Sequence, residues 1–262
     1  MEKAKINSLI KRIVTSLILI PIVIGSLFAG YPYVQILAFL VGSLLSWEWA
    51  QMVPSVRGAF YAVLYSFVVA VSIFMGPSCP YWIVLFGATA LAYYKSKDES
   101  RRNLLIMGVP YISIGIGSIM WLYELLGFGV VFWFMLVVWF MDIGGFVVGC
   151  SLKGPKLAPQ ISPNKTWSGL IGGILFSVCI GNLYCWYMGA GAHLLYYGVL
   201  AGVIAFVSQI GDLVESRIKR SLNLKDSSNL IPGHGGIFDR IDGLIFAAPF
   251  VYVLFRYVLI VL

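Results

Sequence analysis

Residues 104–150, LLIMGVPYISIGIGSIMWLYELLGFGVVFWFMLVVWFMDIGGFVVGC, contain two acidic side chains and no basic one. Water cannot solvate an apolar run of this length. The clearest interruption is Gly127-Phe128-Gly129, which reads as a tight turn. The stretch therefore divides into two segments, 104–126 and 130–150, each long enough to cross a bilayer as helix. Lipid offers no hydrogen bonds, so a spanning backbone must satisfy itself within helices or a closed barrel. These runs lack strand-like alternation and are too long for barrel strands, which leaves helix.

The rest of the chain follows the same pattern. Of 262 residues, 60% are hydrophobic and 11% charged, against about 25% charged in a soluble domain. Candidate spans fall at 13–30, 33–53, 59–76, 80–95, 104–126, 130–150, 169–189, 194–215 and 243–262. The expected fold is all-α, a polytopic transmembrane bundle of about nine spans. It divides into N-terminal membrane helices over 1–126 and a catalytic membrane region over 127–262, with long loops at 151–168 and 216–242. The run from Ile13 to Ala29 is too long for a signal-peptide core and reads as an uncleaved first span. Cys79, Cys150, Cys179 and Cys185 follow no framework or zinc spacing and read as packing residues.

With nine spans, nearly all basic residues between segments fall on one side, Arg256 excepted. By the positive-inside rule that side, with the N-terminus, is cytoplasmic, and the C-terminus is outside. The net charge of +7 is thus gathered on one face. Anionic headgroups and nucleotide phosphates suit it. Nucleic acid does not, because no separate basic domain exists.

Several acidic residues lie where lipid makes them costly: Glu48, Asp142, Asp212 and Glu215. Ionisable groups at such depth are functional candidates. Glu48, between Trp47 and Trp49, is read first as a structural or interfacial group. If the helix through 194–215 continues, Ser208, Asp212, Glu215, Ser216 and Lys219 share one polar face. Such a face lines a cavity, and carboxylates followed by cations suit a metal–phosphate site. Beyond it, Pro232-Gly233-His234-Gly235-Gly236 cannot be helix, and its glycines let backbone N–H groups approach an anion. Asp239, Arg240 and Asp242 follow. In the other loop, Ser162-Pro163 and Thr166 could open a helix whose first turn binds an anion beside Lys165, or simply cap a helix at the membrane surface.

These segments resemble the phosphatidate cytidylyltransferase (CDP-diglyceride synthetase) family. Its signature is matched by Ser216, Lys219, Arg220, Lys225, Asp226, Pro232, His234, Gly235, Gly236, Asp239, Arg240 and Asp242, with the same spacing. SPNKTWSG (162–169) and WFMDIGGFVVG (139–149) resemble two further family segments, with departures at Ser168 and Ile143, to which no role is given. The resemblance implies transfer of CMP from CTP to phosphatidate in the bacterial inner membrane, at its cytoplasmic side, by a homodimer. It implies Mg²⁺, with a monovalent cation such as K⁺ nearby, held by Asp212 and Asp239, with Asp242 and Asp142 as second candidates. Lys165, Lys219, Arg220 and Arg240 would contact phosphates, and Ser162, Thr166, Gly235 and Gly236 would orient them. His234 is either a phosphate or metal-site contact or a structural turn residue. A CTP-dependent polyprenol or phytol kinase is the alternative enzyme. A transporter is the alternative class, because buried acids also mark ion pathways.

Overall fold

A computed structural model of the chain describes residues 2–97, 99–231 and 235–259, with side chains from Thr15 onward except those of 192 and 259. Its helices are α1 (Glu2–Ala29), α2 (Tyr33–Met52), α3 (Gly58–Met75), α4 (Cys79–Lys95), α5 (Arg102–Leu152), α6 (Trp167–Tyr187), α7 (Leu194–Ser221) and α8 (Phe238–Val253). Between α5 and α6 lies an antiparallel hairpin of β1 (Lys156–Ala158) and β2 (Ser162–Thr166). A π-helical turn, Leu254–Leu259, extends α8.

Among the described residues, six helices are long and apolar enough to cross a membrane: α2, α3, α5, α6, α7, and α8 with its extension. The outer surface is correspondingly apolar, with Leu17 68%, Phe86 69% and Leu195 85% exposed. The nine sequence ranges each fall on a helix or half-helix, although 260–262 lie outside the described residues. The 51 residues of α5 would measure about 76 Å as one rod, far beyond a hydrocarbon core of about 30 Å. At Gly127 the backbone leaves helical angles, with φ 73° and ψ −167°. Contacts on either side show that the chain folds back there. Tyr111 stacks on Phe238 and Trp121 meets Tyr252, so the first half runs parallel to α8. In the second half, Trp133 meets Phe255, and Asp142 returns to the electrostatic range of Arg240.

The second half of α5 packs on α6 through small residues. A side chain at Gly144 would collide with Phe176, and one at Gly172 with Val148. A Cβ on Gly173 would lie 2.6 Å from the Met141 carbonyl oxygen. The glycines of α6 therefore serve contacts within one chain. Several indole and phenol donors find backbone partners, which lipid could not supply. Trp121 Nε1 donates to the Ser72 carbonyl at 2.7 Å, and the Tyr65 hydroxyl donates to the Leu105 carbonyl at 2.6 Å.

Two expectations about loops change. Ser162 and Pro163 do not open a helix: they lie in β2, with Ala158 facing Ser162 and Lys156 facing Thr166. Pro163 lacks an N–H but tolerates an edge strand. Thr166 alone is the cap, its hydroxyl accepting from the Gly169 N–H at 3.1 Å. The loop expected over 216–242 shrinks to 222–237, because α7 runs to Ser221 and α8 starts at Phe238.

Candidate active site

The second half of α5, the hairpin, α6 and α7 enclose a cavity of about 780 Å³. Into it face Asp142 from α5, Lys165 and Thr166 from β2 and its end, and Gln209 and Asp212 from α7. Asp142 is reachable by solvent through this cavity although the protein surrounds it. The Lys165 ammonium forms an ion pair with Asp212 Oδ2, and Ser216 Oγ donates to Asp212 Oδ1 at 3.4 Å. Lys153 and Lys156 also line the cavity, which suits a polyanion.

A second cluster lies at the start of α8. Lys219 Nζ sits 2.5 Å from Asp239 Oδ1 and 2.6 Å from Glu215 Oε2, one ammonium between two carboxylates. Asp239 Oδ2 also accepts from the Ser227 N–H at 3.0 Å, the Ser227 hydroxyl at 3.1 Å and the Gly236 N–H at 2.9 Å. Asp239 thereby organises the glycine-rich segment around itself, and the Gly236 N–H is committed to it. Gly235 adopts φ +83° and bridges to Ile231, whose N–H donates to its carbonyl at 2.8 Å. Gly236 has no room for a side chain, since a Cβ there would strike Ser227 Oγ and Glu48.

Asp242 joins the two clusters electrostatically, interacting with Asp212, Glu215 and Asp142. Five carboxylates (Asp142, Asp212, Glu215, Asp239 and Asp242) thus lie together, with Lys165, Lys219 and Arg240 among them. Among the described residues, no group of three or more His, Cys, Asp or Glu side chains is placed to hold a metal ion.

The structure thus brings Asp142, Asp212, Lys165 and Thr166 into one cavity. Asp239, Lys219, Gly235 and Gly236 form the neighbouring cluster, with Asp242 between. Arg220 sits at the edge, its Nε donating to the Ile161 carbonyl at 3.3 Å and its Nη1 to the Leu224 carbonyl at 2.9 Å. It ties the end of α7 to the hairpin. Arg240 lies exposed on α8, in electrostatic range of Asp142. Ser162 is on β2, outside the cavity lining. His234 lies outside the described residues.

Two further residues belong to the site. Glu48 of α2 is fully buried. Its Oε2 accepts from the Phe238 N–H at 2.7 Å, and its Oε1 from the Ile237 N–H at 2.9 Å and the Ser228 hydroxyl at 2.5 Å. It caps α8 from across the bundle, satisfying N–H groups that the helix start leaves open. The structural reading of Glu48 is right in kind, but no local signal names its partners. Gln209 was invisible because an amide in an apolar span has an ordinary structural use. Its Nε2 is buried without a hydrogen-bond partner among the described residues and shares the cavity lining with Asp212.

The family model described as "Cytidylyltransferase family" matches residues 10–258. The phosphatidate cytidylyltransferase of Brucella suis is 34% identical over 253 residues, covering 94% of this chain and 93% of the relative. That of Pseudomonas aeruginosa is 35% identical over 256 residues, covering 91% and 94%. That of Bacillus subtilis is 40% identical over 128 residues, covering 49% and 48%.

Proposed function

The chain belongs to the cytidylyltransferase family, and on that premise we infer that it transfers CMP from CTP to phosphatidate, giving CDP-diacylglycerol and pyrophosphate. The observation that carries this is the family match across nearly the whole chain, supported by a cavity pairing lysines with carboxylates.

The lipid phosphate attacks the α-phosphorus of CTP, a P–O bond forms, and the bond to the β-phosphate breaks. The nucleophile is already an anion at neutral pH, so no strong base is required. The barrier lies in bringing two polyanions together and stabilising the pyrophosphate that leaves. Positioning and electrostatics therefore carry the catalysis. Lys165 in the cavity, with Lys153 and Lys156 at its lining, receives the triphosphate. Thr166 and Arg220 hold the hairpin that presents Lys165. Arg240 and Lys219 are the further residues proposed to meet phosphate oxygens.

The donor set fits Mg²⁺: hard carboxylate oxygens gathered from α5, α7 and α8. Mg²⁺ is commonly held by one or two carboxylates together with substrate phosphates. Asp212 and Asp239 would hold it, with Asp142 and Asp242 as second candidates and a monovalent cation such as K⁺ expected nearby. When bound, the ion neutralises charge developing on the phosphates. Lys165 and Lys219, paired with carboxylates here, would turn to phosphate oxygens of the substrates.

The proposed setting is a bacterial inner membrane crossed nine times, with the N-terminus and site on the cytoplasmic side. The homodimer is proposed from family resemblance alone. Purified protein given CTP, phosphatidate and Mg²⁺ should release pyrophosphate and stop with excess EDTA. Absence of release, with protein folded and lipid dispersed, refutes the reading; unchanged release in EDTA refutes the metal.

A further inference from the structure

A second cavity, of about 310 Å³, lies between the first half of α5 and α8. Met107, Pro110, Tyr111 and Ile114 form one wall, and Phe246 and Pro249 belong to the other. The spacing of the α5 residues places them on one helix face. The lining is almost wholly apolar, and Met107 at its margin is 44% exposed on the outside of the bundle. Close helix contact closes one end, where a side chain at Gly115 would strike Ile245.

The other end leads to the acidic cluster. Tyr111 stacks on Phe238 at the first turn of α8, with centroids 5.8 Å apart. Among the described residues its hydroxyl is buried with no hydrogen-bond partner, and it interacts electrostatically with Asp242 and Glu215. Phe246, one wall of the groove, packs against Gly211, the residue before Asp212. A single aromatic layer thus separates the apolar groove from the carboxylate that faces the polar cavity. The two cavities approach the acids from different sides, one lined by lysines and the other by hydrocarbon.

We propose that this groove holds an acyl chain of the phosphatidate substrate, with the Tyr111 hydroxyl at its polar end donating to a phosphate or ester oxygen of the same lipid. The assignment rests on the cytidylyltransferase reading and deepens it. A lipid whose phosphate reacts at the acids must leave its chains within the bilayer. This groove is apolar, open at the bundle surface and one aromatic layer away from those acids. The nucleotide occupies the polar cavity, so the two substrates meet at the carboxylates without sharing a path.

The test compares Tyr111→Phe and Ile114→Trp with wild type, using dioleoyl and dihexanoyl phosphatidate in detergent. Tyr111→Phe keeps the aromatic stack and removes one donor, so KM for both lipids should rise about three- to tenfold. Ile114→Trp fills the groove, so KM for the long-chain lipid should rise at least about tenfold while the short-chain value holds. KM for CTP should stay unchanged in both. Unchanged lipid KM in both variants, or an equal rise for CTP, overturns the assignment. Should Ile114→Trp fail to fold, wild-type protein with phosphatidate carrying a diazirine at the chain terminus decides. Labelling within 104–114 or 244–250 supports the groove, and labelling confined elsewhere overturns it. An intermolecular disulfide formed by Met107→Cys would put a second copy there and overturn it as well. Wild-type protein that makes no CDP-diacylglycerol from either lipid would sink the activity itself, an outcome separate from variants that match an active wild type.

Discussion

Glu48 concentrates four donors on one buried carboxylate, two of them the N–H groups of Ile237 and Phe238 and two the hydroxyls of Ser227 and Ser228. Replacing it by Gln leaves one oxygen acceptor and introduces an NH₂ opposite donors. A buried donor left unmet costs about 1–3 kcal/mol. Glu48→Gln should therefore lower the unfolding midpoint in detergent and reduce kcat more than KM for CTP, because the loop carrying Asp239 shifts while the lysine-lined cavity stays. An unchanged midpoint would show that the cap is not needed. Asp212 is the complementary case, since it faces the cavity. Asp212→Asn should cost at least about 100-fold in kcat, near 2.7 kcal/mol at 1.36 per decade, with little loss of folded protein. Near-normal turnover would remove it from the chemistry. Lys219 holds two carboxylates at once. Its replacement by Met should destabilise the protein by about 3–5 kcal/mol, as when one partner is stripped from a buried ion pair, and thermal unfolding with wild type alongside measures this.

At the scale of elements, α5 and α6 depend on glycine for their separation. Gly172→Val would drive a branched side chain into Val148, and overpacking of this kind costs about 1–3 kcal/mol. The expected result is a lower melting temperature together with lost activity, because the same two helices wall the cavity. A wild-type melting temperature would show that the helices separate freely. The helices were legible in the sequence because apolar runs end at Gly, Pro and charge, and the turn at Gly127 was legible for the same reason. The continuing polar face of α7 was legible too, since Asp212, Glu215 and Lys219 recur at helical spacing. The hairpin was not. KLA and SPNKT carry no alternation, and Pro163 argues against strand. Nor could the sequence show that Asp239 would be surrounded by four donors, or that Glu48 would reach Phe238 from 190 positions away. Those contacts depend on how α2, α7 and α8 pack, and no local pattern encodes that.

For the whole molecule, the exterior is apolar and the charges gather at the ends of α5, α7 and α8, as a protein dissolved in lipid requires. The proposed topology puts the hairpin and the loop over 222–237 on the cytoplasmic side, with the C-terminus opposite. Single cysteines placed at Gln160 and Asn223, in a background without the native four, should react with an impermeant maleimide only after the inner face is exposed. Labelling from outside would invert the topology. The central claim is that the carboxylate–lysine cavity joins the α-phosphate of CTP to a lipid phosphate, and label placement tests it most directly. Purified protein with phosphatidate and Mg²⁺ should move ³²P into lipid from α-labelled CTP and none from γ-labelled CTP. Lipid labelled from the γ position would instead mark a kinase, and lipid unlabelled from either would contradict transfer altogether.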